Sequence, residues 1–252
     1  MRVRAVVAAL IVIVGASRWA DAPGLASSAA LLRPRTIQFS GYTWDVKWSD
    51  ALAGPGPNYF SDAPASVWVD RKGCLHLRIR RDKGLWSCAE VISERSFGYG
   101  TYRFHLDSPV DDIDPNAVLG LFTWSDRPDF HHREIDIEIS RWGEPGNANA
   151  QFVLQPWIVP ANVIRFSIPP SVRASVHEFS WQPDRVRLRS TSLGATIREH
   201  TFTSGIPPAG DENARINLWL VGGLAARNGR EVEVVLRRFE FLPGRHAAHP
   251  SK

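Results

Sequence analysis

Glu134-Ile135-Asp136-Ile137-Glu138-Ile139 alternates three carboxylates with three isoleucines. Isoleucine is branched at Cβ and packs well on a pleated surface, so a period of two reads as a strand. Successive strand side chains point to opposite faces, which sets Glu134, Asp136 and Glu138 on one side and the isoleucines on the other. The carboxylates then stand about 7 Å apart along one face and repel one another. Taken alone, such a strand is most simply the wetted face of an antiparallel sheet. Its flanks argue against that: Phe122, Trp124, Phe130, His131 and His132 precede it, and Trp142 follows.

Outward from this run, the chain is a series of short alternating segments broken by Gly, Pro, Asn and Asp. They include Ser66–Val69, Leu75–Arg80, Thr101–Leu106, Val118–Trp124, Phe179–Trp181, Val186–Arg189, Ile216–Leu220 and a last run from Val232 to Phe241. Many short strands with turn signals between them predict an all-β sandwich, with a β-barrel as the second architecture. No internal repeat or linker divides them, so one domain is expected over residues 37–242. Residues 23–36, rich in Ala, Ser and Pro, read as a flexible lead-in, and 243–252 as a disordered tail.

Arg2 and Arg4 followed by an apolar run from Ala5 to Gly15 and small residues at Ala20-Asp21-Ala22 have the layout of a secretory signal peptide over residues 1–22. The run is short for a membrane span, and an uncleaved anchor is the alternative. A secreted protein, extracellular or periplasmic, without stable membrane association once the leader is removed, is therefore expected. The formal charge is +4, of which the leader's Arg2, Arg4, Arg18 and Asp21 hold about half. The remaining arginines are scattered at strand spacing, so a nucleic-acid partner is not expected.

Two cysteines, Cys74 and Cys88, flank a turn at Asp82-Lys83-Gly84. A hairpin closing near residues 81–83 would bring them nearly opposite one another. In an exported protein the expected outcome is one disulfide, stabilising by up to roughly 3 kcal/mol; two buried free thiols are the alternative.

Nine of the ten tryptophans follow the leader. Trp44, Trp124, Trp142 and Trp219 stand beside polar residues or turns, and flat rings of this kind stack on the apolar faces of sugars. Two glutamates with a third acid between them match the needs of acid-assisted sugar chemistry: a nucleophile, a proton donor and a group to tune them. Glycoside cleavage places its two carboxyls about 5–5.5 Å apart for retention or about 6.5–9.5 Å for inversion. Residues four apart on a flat strand are separated by about 13 Å, so Glu134 and Glu138 can pair only on a curved sheet.

At this point the residues resemble glycoside hydrolase family 16, in the bulge-free form of the motif typical of lichenases and xyloglucan endotransglycosylases. Glu134-Ile135-Asp136-Ile137-Glu138 looks like its signature. Ala89-Glu90, Phe97-Gly98-Tyr99-Gly100-Thr101-Tyr102, Leu121-Phe122-Thr123-Trp124, Ala150-Gln151-Phe152, His177–Pro183 and Asn217-Leu218-Trp219 are similar to its surrounding segments, in order. The resemblance implies a concanavalin-like β-jelly-roll of two antiparallel sheets with a concave substrate cleft. It implies a retaining endo-β-glycosidase acting on a β-glucan or related polysaccharide, with Glu134 as nucleophile, Glu138 as general acid/base and Asp136 tuning the nucleophile. Two nearby ionised acids would raise the pKa of Glu138. Carried over position by position, the substrate contacts are Asn58, Glu90, Phe122, Trp124, Gln151, Asn217 and Trp219.

The chain departs from that pattern at several positions. Arg133 stands where the lichenase branch usually has an acid, Ile92 where it often has a sugar-binding Arg, and Val153 and Gln155 replace polar or aromatic cleft residues. Arg237 occupies the region where the family often places a calcium-binding Asp, so no cofactor is expected. The resemblance leaves a transglycosylase and a non-catalytic carbohydrate-binding sandwich as alternatives, and a monomer is expected.

Overall fold

A computed structural model of the protein describes residues 34–170 and 172–244. The leader, the lead-in before residue 34 and the tail beyond Gly244 lie outside the described residues. Among the described residues, no helix is long and apolar enough to cross a membrane.

Sixteen strands are described. The chain opens with β1 (Thr36–Phe39), β2 (Tyr42–Val46), and the short β3 (Tyr59–Phe60) and β4 (Val67–Val69). It continues through β5 (Leu75–Asp82), β6 (Leu85–Ser96), β7 (Gly100–Leu106), β8 (Ala117–Trp124) and β9 (Ile135–Ile139). Next come β10 (Ala150–Leu154), β11 (Val163–Phe166), β12 (Ser175–Gln182), β13 (Arg185–Ser192) and β14 (Ala195–Phe202). The last two are β15 (Asn213–Leu220) and β16 (Val232–Pro243).

One layer runs β11-β10-β9-β8-β15-β6, with the β1–β2 hairpin paired to β6. The other runs β5-β16-β7-β12-β13-β14, with β4 on β5. The β5–β6 hairpin joins the two into one continuous hydrogen-bonded path. Pairing is antiparallel throughout except for β3, which lies parallel to β6. This is an all-β jelly-roll sandwich.

The period-2 pattern explains why the layers face each other as they do. Ile135, Ile137 and Ile139 are fully buried and turn inward with Leu119, Leu121, Ile216 and Leu218 from neighbouring strands. From the other layer they meet Leu77, Phe104, Phe179, Leu188, Val234 and Phe239. Burial of this many large apolar side chains is the main stabilising term, at about 25 cal/mol per Å² removed from water. Three two-residue hairpins, at Ser40-Gly41, Lys83-Gly84 and Leu193-Gly194, have positive φ at both central positions. That is the type I′ geometry whose twist matches paired strands.

The Lys83-Gly84 turn decides the cysteines, and it corrects the expected disulfide. Pairing across it runs Asp82↔Leu85, Arg81↔Trp86 and Arg80↔Ser87. One step further brings Cys88 abreast of Ile79, five residues from Cys74, so the two sulfurs never face each other. Both are buried free thiols. Burial pushes the Cys88 thiol up to about 12, which leaves it protonated and unreactive. Of the four tryptophans beside polar residues or turns, Trp44 is fully buried in the core, and its indole N–H donates to the Phe39 carbonyl.

Candidate active site

Strand register assembles the site. Directly opposed residues on antiparallel strands point to the same face. Asn217 lies opposite both Glu90 and Gly120; Gly120 lies opposite Glu138, Glu138 opposite Gln151, and Gln151 opposite Arg165. A second row, two residues along, sets Arg215 opposite Ile92 and Phe122, then Phe122 opposite Asp136 and Asp136 opposite Val153. Both rows turn away from the core. From them Glu90, Gly120, Phe122, Asp136, Glu138, Arg215 and Asn217, with Glu134, Trp124 and Trp219, line a cavity of about 260 Å³. The acidic strand is therefore not a wetted sheet face: Asp136 is only 3% exposed.

Of the seven expected substrate contacts, Glu90, Phe122, Trp124, Asn217 and Trp219 line this cavity. Two are placed differently. Asn58 is buried behind the wall, where its amide donates to the carbonyls of Pro55 and Leu220 and ties the loop before it to the end of β15. Gln151 reaches Glu138 instead, donating from Nε2 to a carboxyl oxygen at 2.7 Å. The sequence reading missed Lys47 and Arg215, which also line the cavity. Lys47 pairs with Glu90 at 2.8 Å. Arg215 stands 3.6 Å from the other Glu90 oxygen, pairs with Asp126 at 2.9 Å and lies over the Trp124 ring. Gln155, a departure from the family pattern, donates from its amide to Asp136 at 3.3 Å while its oxygen accepts the Trp157 N–H.

Trp124 is a wall whose ring is already engaged. His132 lies flat against it, 4.1 Å between centroids and 9° between planes. Trp142 packs edge-on against Trp219 at 6.0 Å and supports the opposite wall. Gly120 is a requirement of the floor: a Cβ there would come within 2.4 Å of Asn217 Oδ1.

The approach to Glu134 departs from strand geometry. β9 begins only at Ile135. Phe130, His131, His132 and Arg133 all have φ between 51° and 60°. Left-handed backbone costs an L-residue roughly 1–2 kcal/mol, so four in succession must be held by their surroundings. The Ser125 N–H donates to the His132 carbonyl, and His132 Nδ1 lies 2.9 Å from the Ser125 carbonyl. The buried Arg133 side chain donates to the Pro208 carbonyl and pairs with Asp211 at 3.4 Å.

Burial is the leading cause of every shift among the three acids. It pushes Glu138 up to about 7, against the opposing Gln151 hydrogen bond and the Arg165 charge. It pushes Glu134 up to about 7 as well; a hydrogen bond with Asp136 and the Arg215 charge oppose this, while Glu138 adds to it. Asp136 is likewise raised well above the usual carboxylate range, by burial and by both glutamates. The rise at Glu138, expected from neighbouring acids, comes instead from desolvation. Asp136, protonated, can donate to an ionised Glu134, and the three share their protons as a set.

Among the described residues, no group of three or more His, Cys, Asp or Glu is placed to hold a metal ion. Arg237 is exposed on β16, and a guanidinium does not suit a calcium site, which takes oxygen ligands.

No protein-family model and no curated protein sequence matches the chain. Solved structures do match in fold. A Bacillus licheniformis β-glucanase aligns at TM-score 0.59 and 17% identity, over 80% of this chain and 92% of its own. A Mycobacterium tuberculosis protein described as an immunostimulatory antigen and pseudo β-1,3-glucanase aligns at TM-score 0.60 and 17% identity, over 80% and 91%. A Zobellia galactanivorans protein crystallised with laminaritriose and laminaritetraose aligns at TM-score 0.56 and 12% identity, over 79% and 91%.

Proposed function

We propose that the protein is an exported, monomeric retaining endo-β-glycosidase that hydrolyses internal linkages of a β-glucan or related polysaccharide. One observation carries this reading. One cavity with aromatic walls holds Glu134, Asp136 and Glu138 together, and burial pushes both glutamates up to about 7, so that one can hold a proton while the other is ionised. In the first step Glu138 gives its proton to the leaving oxygen as the glycosidic bond breaks, and Glu134 bonds to the anomeric carbon. In the second, Glu138 takes a proton from water, whose oxygen attacks that carbon and releases Glu134. The aromatic walls and the likeness to glucanase structures support a polysaccharide substrate. Export rests on the composition of residues 1–22.

Glu134→Gln is expected to lower hydrolysis at least a thousandfold while oligosaccharide binding, measured by calorimetry, survives. Full activity of that variant on a panel of β-1,3, β-1,4 and mixed-linkage glucans would sink the assignment. Following product anomers by NMR tests retention, and adding an oligosaccharide acceptor separates hydrolysis from transglycosylation.

The pseudo-glucanase among the structural neighbours favours a second reading, a carbohydrate-binding sandwich without turnover. Release of reducing ends from any glycan by the wild-type chain excludes it.

A further inference from the structure

We propose that Thr123 is a positioning residue for Glu134, its hydroxyl fixing the peptide units on both sides of that glutamate. This rests on the reading of Glu134 as nucleophile. The β8–β9 ladder runs from Leu119↔Ile139 to Phe122↔Asp136 and stops there. The next rung would pair Thr123 with Ile135 through their backbones, but the left-handed turn has already carried the chain away from β8. Thr123 Oγ1 takes over that rung. It donates to the Arg133 carbonyl at 2.9 Å and accepts the Ile135 N–H at 3.3 Å. Those two groups bracket Glu134, and the hydroxyl joining them is fully buried.

The end of β8 and the residue after it thus grip the incoming chain: Thr123 by its hydroxyl, Trp124 by stacking on His132, and Ser125 by its backbone. On the far side the Glu134 carbonyl accepts the Gln155 N–H at 3.3 Å. Glu134 is therefore suspended between two strands without belonging to the ladder of β8. Of all these links, the Thr123 hydroxyl alone spans both of its peptide units. Threonine suits the place because its branched Cβ limits χ1, which aims the hydroxyl without a search.

Thr123→Val keeps the shape and removes both bonds; Thr123→Ser keeps the hydroxyl. The probe is a 2-deoxy-2-fluoro-β-oligoglucoside with a dinitrophenolate leaving group, read as the rate of covalent mass gain on Glu134. We expect T123V to slow labelling roughly 30-fold or more, the scale of a small misplacement of a reacting group. Oligosaccharide affinity in an E134Q background should change less than twofold, and T123S should label within threefold of wild type. Labelling of T123V at the wild-type rate, or parallel losses of rate and affinity, would overturn the proposal. If T123V does not fold, T123C carries the comparison, since a thiol is a weak donor. A wild-type chain that is neither labelled nor active refutes the nucleophile reading instead. Thr123 is then judged by ¹³C titration of the Glu134 carboxyl: a midpoint moved in T123V and not in T123S supports it, and an unmoved midpoint overturns it.

Discussion

Burial of Glu138 sets one pH window both for stability and for the proton its proposed role requires. Its folded pKa, pushed up to about 7, lies above the ordinary 4.5. The fold therefore favours the protonated form. That contribution is complete below about pH 4.5 and is lost as pH rises through about 7. Activity that needs the proton should fall over the same upper window. Glu138→Gln removes the titration, so the variant is expected to melt about 5 °C above wild type at pH 8, with the gap closing near pH 5. Thermal melts at the two pH values check this, and an equal gap at both would refute it. His177 runs the other way. Burial between the hydroxyls of Ser175 and Ser190 holds it down to about 3, so its contribution is present above about pH 6.5 and lost as pH falls toward 3.

At the level of the strand, β8 is buried on both faces because it separates core from cleft. Gly120 sits where the cleft face has no room for a side chain, under the Asn217 amide. Gly120→Ala is expected to leave the melting temperature within about 3 °C, since only a side-chain end must move. It should weaken oligosaccharide binding at least tenfold by displacing Asn217, and a titration at pH 6 would show it.

Strands with clear alternation, such as β5, β7, β9 and β16, were legible in the sequence. The hairpin β1–β2, the two-residue β3 and the edge strands β11 and β14 were not. β14 is mostly exposed and gives no period-2 signal. β6 hides its pattern because it pairs with β5 in one layer and with β15 and β2 in the other. The three acids could be read from one short run of sequence, although Glu134 stands just before β9. Lys47, Arg215, Gln155 and Thr123 could not, because each enters the site through cross-strand register or a local break in it, neither of which is written in nearby residues.

Across the whole molecule, one aromatic cluster closes the sandwich. Phe239 on β16 packs on Tyr42 and Trp44 from the first hairpin, on Phe97, and on Phe104 from β7, with centroids 5.1–5.6 Å apart. It thereby ties the start of the described chain to its end. Phe239→Ala should cost about 3–5 kcal/mol and lower the melting temperature by about 10 °C. A single calorimetric transition is expected, because both layers share this core; a separate early transition would show that the first hairpin unfolds by itself.

The two cross-strand rows have a consequence for how such a protein can change. On β6, β8, β9, β10 and β15, cleft and core residues occupy alternate positions. Substitutions at Glu90, Phe122, Arg215 and Asn217, which line the cavity, therefore change its chemistry while the inward-facing partners keep their packing. The residues that hold the fold and those that shape the cavity are written on interleaved sites, so a combinatorial library confined to one set can vary the cavity without having to search again for a folded chain.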